Sequence, residues 1–288
     1  MRNLRALISY DGSKFFGWQR QEGFWSVQEA LERAIEAVTG EAVTVYGAGR
    51  TDTGVHALRQ VASFHLETDL TDDRLRHAVN AHIGEGAIVE RIETCEDDFH
   101  ARFSACGKRY LYRVGTSRFR PPFPEEYAHW INQPLELELM EQAARDLIGE
   151  HDFGAFASAG SGPKTTVRTI TRARFFARRR GFAIVVQGNG FLYNMVRTIA
   201  GTLIDVGRGR LDTGCIARAL EDGRRGPLGP TAPAAGLYLL RVLYPSPVFQ
   251  GPDLGPRGVA GVIQPGGPLN DELTQAGVSE LEQADETS

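Results

Sequence analysis

The chain has 288 residues, 42% hydrophobic and 24% charged, with a net charge of −4, enough apolar material for two cores of ordinary domain size. An N-terminal stretch without an apolar core, and no apolar run near membrane-spanning length, lead to the expectation of a soluble, cytoplasmic protein without membrane contact. Three scattered cysteines, Cys95, Cys106 and Cys215, have neither Cys-x-x-Cys metal spacing nor the density of a disulfide scaffold, so reduced, buried thiols are expected.

Strand character appears first at Leu4 to Ser9, then at Val43 to Tyr46, Gln60 to Leu66, Ala87 to Ile92 and Lys108 to Val114. It returns at Arg168 to Ala177, Phe182 to Gln187 and Leu237 to Leu243. Between these lie four amphipathic helices. The clearest follows Ser26, whose hydroxyl can cap it with Glu29 three residues on, and Gly40 is its natural stop. Others are expected over Thr71 to Ile83, Glu136 to Ile148 and Phe191 to Val206. In the last, Leu192, Met195, Val196, Ile199, Ala200, Leu203 and Ile204 make a core-width stripe interrupted by Asn194 and Arg197. An arginine there either snorkels to water or pairs with a buried acid. Asp212 reads as the N-cap of a further helix through Ile216 and Leu220.

The pattern implies two α+β units, 1–105 and 106–248. A Pro/Gly-rich acidic tail over 249–288 has too little apolar material to order itself and is expected to be disordered. Residues 251–288 hold seven acidic groups against Arg257 alone, so residues 1–250 carry a balance of +2. Arginines cluster at Arg168, Arg172, Arg174, Arg178, Arg179 and Arg180, and again at Arg208, Arg210, Arg218, Arg224 and Arg225. A solvated face is the ordinary reading of such clusters, but their number fits a phosphate-rich partner.

One loop concentrates chemistry. Gly47-Ala48-Gly49-Arg50-Thr51-Asp52-Thr53-Gly54-Val55-His56-Ala57 sets a carboxylate, a guanidinium and an imidazole between two strands, the usual placement of working side chains on a rigid scaffold. Asp52-Thr-Gly54 and Asp212-Thr-Gly214 resemble the paired loops of aspartic proteases, but Arg50, Arg208 and Arg210 would hold both acids ionised, against a shared-proton dyad. No Gly-x-x-x-x-Gly-Lys-Ser/Thr occurs, and the seven histidines lack His-x-x-x-His spacing, so neither a nucleotide cofactor nor a metal is expected.

Read with its neighbours, the loop has a family likeness. Tyr10-Asp-Gly-Ser-Lys-Phe-Phe-Gly-Trp-Gln-Arg-Gln21, Ser26-Val-Gln28, Gly49-Arg-Thr-Asp-Thr-Gly-Val-His-Ala57, Asp98-Phe-His-Ala-Arg-Phe-Ser-Ala105, Lys108-Arg-Tyr-Leu-Tyr112, His151-Asp-Phe153, Asn194-Met-Val-Arg197 and Gly236-Leu-Tyr-Leu239 occur in consistent order. Together they resemble the TruA-type tRNA pseudouridine synthases over roughly residues 4 to 243.

The resemblance implies an α+β protein of two ferredoxin-like domains whose antiparallel sheets meet at a central RNA-binding cleft. It implies a homodimer acting without metal or organic cofactor on uridines 38, 39 and 40 of the tRNA anticodon arm. Asp52 matches the essential catalytic aspartate, able to attack C1′ or stabilise oxocarbenium-like charge there, and then to take the C5 proton. Arg197 matches a buried partner that holds this carboxylate, Arg50 the residue that replaces the flipped uridine, and Tyr110 the aromatic that stacks on uracil. His56 reads as loop-stabilising. Lys14, Arg20 and the arginines from Arg168 to Arg180 are candidates for phosphate contacts. A non-catalytic RNA-binding protein on the same scaffold is the alternative, against which the intact Arg50, Asp52, Tyr110 and Arg197 set weighs.

Overall fold

The computed structural model describes residues 1–117, 127–158, 165–178 and 180–249. The expected tail over 249–288 lies, from residue 250 on, outside the described residues, as does Arg179. Two compact units form, one from Met1–Cys106 with the chain from Tyr238, the other from Gly107–Leu237. Both mix helices and strands, in the class the periodicities predict.

The first unit runs β1 (Arg2–Tyr10), α1 (Val27–Thr39), β2 (Tyr46–Gly47), β3 (His56–Leu66), α2 (Asp72–His82) and β4 (Ala87–Thr94). Antiparallel pairing puts β1 between β4 and β3, with β2 on the far edge of β3. Helix α1 forms where its caps predict: the Ser26 hydroxyl accepts the Glu29 amide, and Gly40 closes the helix in the left-handed region at φ 74°. Glu29 pairs with Arg33 at 2.7 Å. α1 packs on α2, and α2 on β4.

Strand β1 is buried on both faces. Asn3 explains one face. Its side-chain amide donates to the carbonyls of Glu96 and Phe99, both at 2.8 Å, so the segment after β4 folds back over the sheet. Next to it, Arg5 pairs with Glu93 and lies over the Phe99 ring.

The second unit contains β5 (Gly107–Thr116), β6 (His129–Ile131), α3 (Leu137–Ala144), β7 (Gly149–Asp152), β8 (Val167–Arg178), β9 (Gly181–Gly188), α4 (Met195–Gly207) and α5 (Cys215–Asp222). Its strands stand in the order β5-β9-β8-β7, all antiparallel, with β6 parallel to the end of β5. Helix α3 packs against α4 and α5. Finally β10 (Leu237–Leu243) lies parallel to the start of β3, with Tyr238 opposite His56 and Leu239 opposite Ala57.

Several boundaries depart from the periodicities. The strand expected at Val43 to Tyr46 forms only at Tyr46–Gly47, because the Val45 amide is taken by the Glu32 carboxylate of α1 at 3.1 Å. Strand β3 starts at His56 rather than Gln60, since β1 and β10 both supply partners there. Helix α3 tightens into a 3₁₀ turn at Arg145–Leu147, and Ile148 is already extended. Asp212 is not the N-cap of α5. Its carboxylate accepts the Gly214 amide and a bidentate pair of bonds from Arg218, and Gly214 occupies the cap position. Of the thiols only Cys215 is buried; Cys95 and Cys106 are half-buried, and all three are free. Burial pushes all three thiol pKa values up, Cys95 to about 11, which leaves them weak nucleophiles. No helix among the described residues is long and apolar enough to cross a membrane.

Gly201 shows packing overriding propensity. Replacing a helix-interior glycine by alanine ordinarily stabilises by about 1 kcal/mol. Here an added Cβ would lie 1.8 Å from the Pro230 carbonyl oxygen, in the segment that runs along α4 and donates the Ala232 amide to the Arg197 carbonyl. Overpacking costs about 1–3 kcal/mol and should win. Gly201→Ala is therefore expected to lower the denaturant midpoint, and a raised midpoint would contradict this packing.

Candidate active site

The loop carrying Arg50 and Asp52 is held by backbone contacts that only glycine permits. A Cβ on Gly12 would lie 2.1 Å from the Val55 carbonyl oxygen, and one on Gly17 would lie 2.5 Å from the Thr51 carbonyl oxygen. Gly17 also has φ 80°, so both its conformation and its surroundings call for glycine. A Cβ on Gly47 would enter the Trp18 indole. Thus the segment after β1 meets the segment before β3 backbone to backbone at Gly12 and Gly17, and lays the Trp18 indole on Gly47.

Hydrogen bonds fix the register of this interlock. The Trp18 amide donates to the Thr51 carbonyl at 3.0 Å, the Gly54 amide to the Gly12 carbonyl at 3.2 Å, and the Val55 amide to the Asp52 carbonyl at 3.0 Å. The last bond closes a turn through Gly54, which has φ 79°. Beneath it, the buried Tyr10 hydroxyl and Thr51 Oγ1 are 2.7 Å apart, and Gln60 Nε2 donates to the Gly49 carbonyl at 2.8 Å. Burial pushes the Tyr10 phenol pKa up against the pull of its bonds to Thr51 and Gln60, keeping it protonated through neutral pH. Both residues flanking the turn are pinned, so Asp52 stands at a fixed place with its side chain half-exposed. Arg50, two residues earlier, is exposed.

His56 belongs to the scaffold, as its reading as loop-stabilising predicts. It is 3% exposed, its Nδ1 receives the Gly12 amide at 3.0 Å, and its ring stacks on Tyr238 at 4.8 Å between centroids.

Tyr110 and Arg197 lie in the second unit. Tyr110, on β5 opposite Val186, is 8% exposed and meets the edge of Phe191 at 5.0 Å. Arg197 leaves the first turn of α4 half-buried. Its Nε donates to the Ala232 carbonyl at 2.7 Å and its Nη1 to Asn194 Oδ1 at 2.8 Å. Asn194 precedes the helix in the left-handed region, φ 62°, and donates to Ser158 Oγ at 2.9 Å. The guanidinium is thus oriented from two sides. Its charge also reaches Tyr112, whose phenol pKa is pushed up by burial and drawn down by Arg197.

The arginines of β8 and of the turn after it do not behave as one patch. Arg174 and Arg180 are exposed, Arg168 is half-buried and donates to the carbonyls of Thr165 and Val167, and Arg172 is 6% exposed. Register explains the last. Arg172 lies opposite Gln187, which lies opposite Arg109, and Arg109 is 1% exposed with two donors on Gln187 Oε1, at 2.8 and 2.5 Å. This buried polar row removes Arg172 from the surface candidates. Among the described residues no group of three or more His, Cys, Asp or Glu is arranged to hold a metal ion.

Sequence reasoning gave no separate role to the loop's supports. Tyr10, Gly12, Gly17 and Trp18 stand inside the Tyr10 to Gln21 motif, which was the available signal. Gln60 had none, since a buried glutamine in a strand has no sequence signature. Gly17→Ala is expected to cost about 1–3 kcal/mol of stability and to speed hydrogen exchange at the Trp18 and Val55 amides. Unchanged exchange there would show the loop to be held by other means.

A family model for tRNA pseudouridine synthase matches residues 6–104 and 143–245. The chain is 42% identical over 244 residues to "tRNA pseudouridine synthase A" of Acetivibrio thermocellus, covering 85% of this chain and 100% of that one. The same name belongs to a relative in Thermoanaerobacter pseudethanolicus, 43% identical over 244 residues with the same coverage. Another, in Agrobacterium fabrum, is 41% identical over 248 residues, covering 85% and 93% of the two chains. The matched residues include the Arg50–Asp52 loop, the segment that interlocks with it, and α4 with Arg197. The chain belongs to the tRNA pseudouridine synthase family, a family of isomerases.

Proposed function

We propose that this chain converts uridine to pseudouridine at positions 38, 39 and 40 of the tRNA anticodon arm, with Asp52 as its essential catalytic residue. The carrying observation is the pinned loop: a half-exposed carboxylate at a fixed place, beside an exposed guanidinium, in a chain of this family. The reaction breaks the bond from uracil N1 to ribose C1′, turns the uracil, and joins C5 to C1′. The C5 proton leaves, and N1 ends protonated. The Asp52 carboxylate serves C1′, as nucleophile or as counter-charge to the oxocarbenium-like sugar, and then accepts the C5 proton.

The other residues prepare the nucleotide. Extruding a base from a stem costs a few kcal/mol, and Arg50 fills the space it leaves. Tyr110 stacks on the uracil, and the oriented Arg197 guanidinium favours the ionised carboxylate. The strand and helix order of the first unit, with β1 between β4 and β3, supports the ferredoxin-like reading of the domains. Two such domains whose antiparallel sheets meet at an RNA-binding cleft, a cytoplasmic homodimer, and a reaction without metal or cofactor complete the proposal.

Tritium release from C5-labelled uridine in tRNA tests the chemistry. Wild type should release label and Asp52→Ala should release none, while retaining tRNA binding. Release undiminished in the variant would overturn the role of Asp52, and no release from wild type would favour a non-catalytic RNA-binding protein. Arg197→Met should lower the rate by at least about tenfold, the loss expected when a charge-assisted contact of about 1.5–3 kcal/mol is removed. An unchanged rate would remove Arg197 from the site. Binding should weaken on the order of 10³-fold between 50 and 200 mM salt if six or more phosphates are contacted. A flat dependence would contradict a basic RNA-binding surface.

A further inference from the structure

The first unit carries an exposed aromatic array that the reaction does not use. Phe103 is 77% exposed and Tyr46 48% exposed. The His100 ring lies between them, 4.4 Å from Phe103 and 5.3 Å from Tyr46 between centroids, at interplanar angles of 38° and 44°. Arg102 is exposed and holds its guanidinium carbon 5.7 Å from the centre of the Phe103 ring.

The array is rigidly built. His100 Nδ1 receives the amides of Arg102 and Phe103, at 3.1 and 3.4 Å, and the His100 amide donates to Ser104 Oγ at 3.1 Å. The Ala101 amide donates to Ser63 Oγ at 3.0 Å, while its carbonyl accepts the Tyr244 hydroxyl at 2.7 Å. Ser63 is also the β3 residue opposite Tyr46. One strand position therefore ties the strand of Tyr46 to the segment carrying His100 and Phe103, and Tyr46 begins the strand that leads into the Arg50–Asp52 loop.

Three flat rings held partly exposed in series, with a guanidinium over the outermost one, match a particular ligand chemistry. Phe103 offers a π surface to which any unpaired base can add, and Arg102 and Arg50 are exposed cations that a phosphate backbone can reach. A partner that buried the rings by apolar packing alone would leave the Arg102 charge to be desolvated without compensation. We propose that the Tyr46–His100–Phe103 array is a stacking platform for an unpaired base of the bound tRNA, with Arg102 on an adjoining phosphate. The proposal rests on the reading of this chain as a tRNA-acting enzyme.

Equilibrium binding of unmodified tRNA to the full chain tests it. Base–aromatic stacking is worth about 1–3 kcal/mol per base, so Phe103→Ala should weaken binding by roughly tenfold or more, and Phe103→Trp should restore it to within about twofold. The F103W variant adds a direct reporter, an indole emission component absent from wild type that tRNA should quench. Arg102→Ala should lower the salt slope of binding by about one phosphate contact. If wild type binds no tRNA, the functional reading itself fails. If wild type binds and Phe103→Ala binds equally well, the platform alone is overturned. Sedimentation of the same variants supplies the remaining contrary outcome: if Phe103→Ala dissociates an oligomer that wild type forms, the array is a contact between copies of this chain.

Discussion

The placement of the Asp52 turn depends on two backbone segments lying closer than side chains allow. Gly12 and Gly17 bring the chain after β1 against residues 51–55, two amide-to-carbonyl bonds between the segments fix their register, and a third closes the turn after Asp52. Such contact spends conformational freedom, because glycine loses more entropy on ordering than any other residue. In exchange, the Asp52 turn is defined by main-chain geometry and is insensitive to rotamer choice in its surroundings. On the proposed function this carboxylate meets one sugar carbon and gains from that kind of placement, since misplacement by about 1 Å can cost on the order of 10² in rate.

The two units solve the positioning of charge differently. In the first, Asp52 is held through its backbone, and the side chains beneath it, Tyr10, Thr51 and Gln60, form a buried neutral network with no need to compensate a charge. In the second, Arg197 is held through its side chain, by the Ala232 carbonyl and Asn194, and Asn194 adopts an uncommon left-handed conformation before α4. The deeper polar row of Arg109, Gln187 and Arg172 extends this device across three strands.

Much of this was legible in the residue order. The caps of α1 were readable because Ser26, Glu29 and Gly40 act within one turn of chain, and the apolar stripe of α4 was readable because burial there follows helical spacing. The loop was conspicuous through its glycines and its mixed charges. Features resting on distant partners were not readable. The Val45 amide turns to Glu32 on α1, and Arg172 is buried by a register that no local pattern encodes. The ring array has no local signature for the same reason, since Tyr46 and the segment carrying Phe103 meet through the fold, at Ser63 on β3 among other contacts.

On the proposed function, the position of the Asp52 carboxylate matters as much as its charge. Asp52→Glu keeps the charge and moves it by one methylene, so its single-turnover rate on tRNA, with enzyme in excess, separates the two. A rate lower by about 10²-fold or more is expected of a site that works through fixed geometry. A rate within a few-fold of wild type would contradict the account.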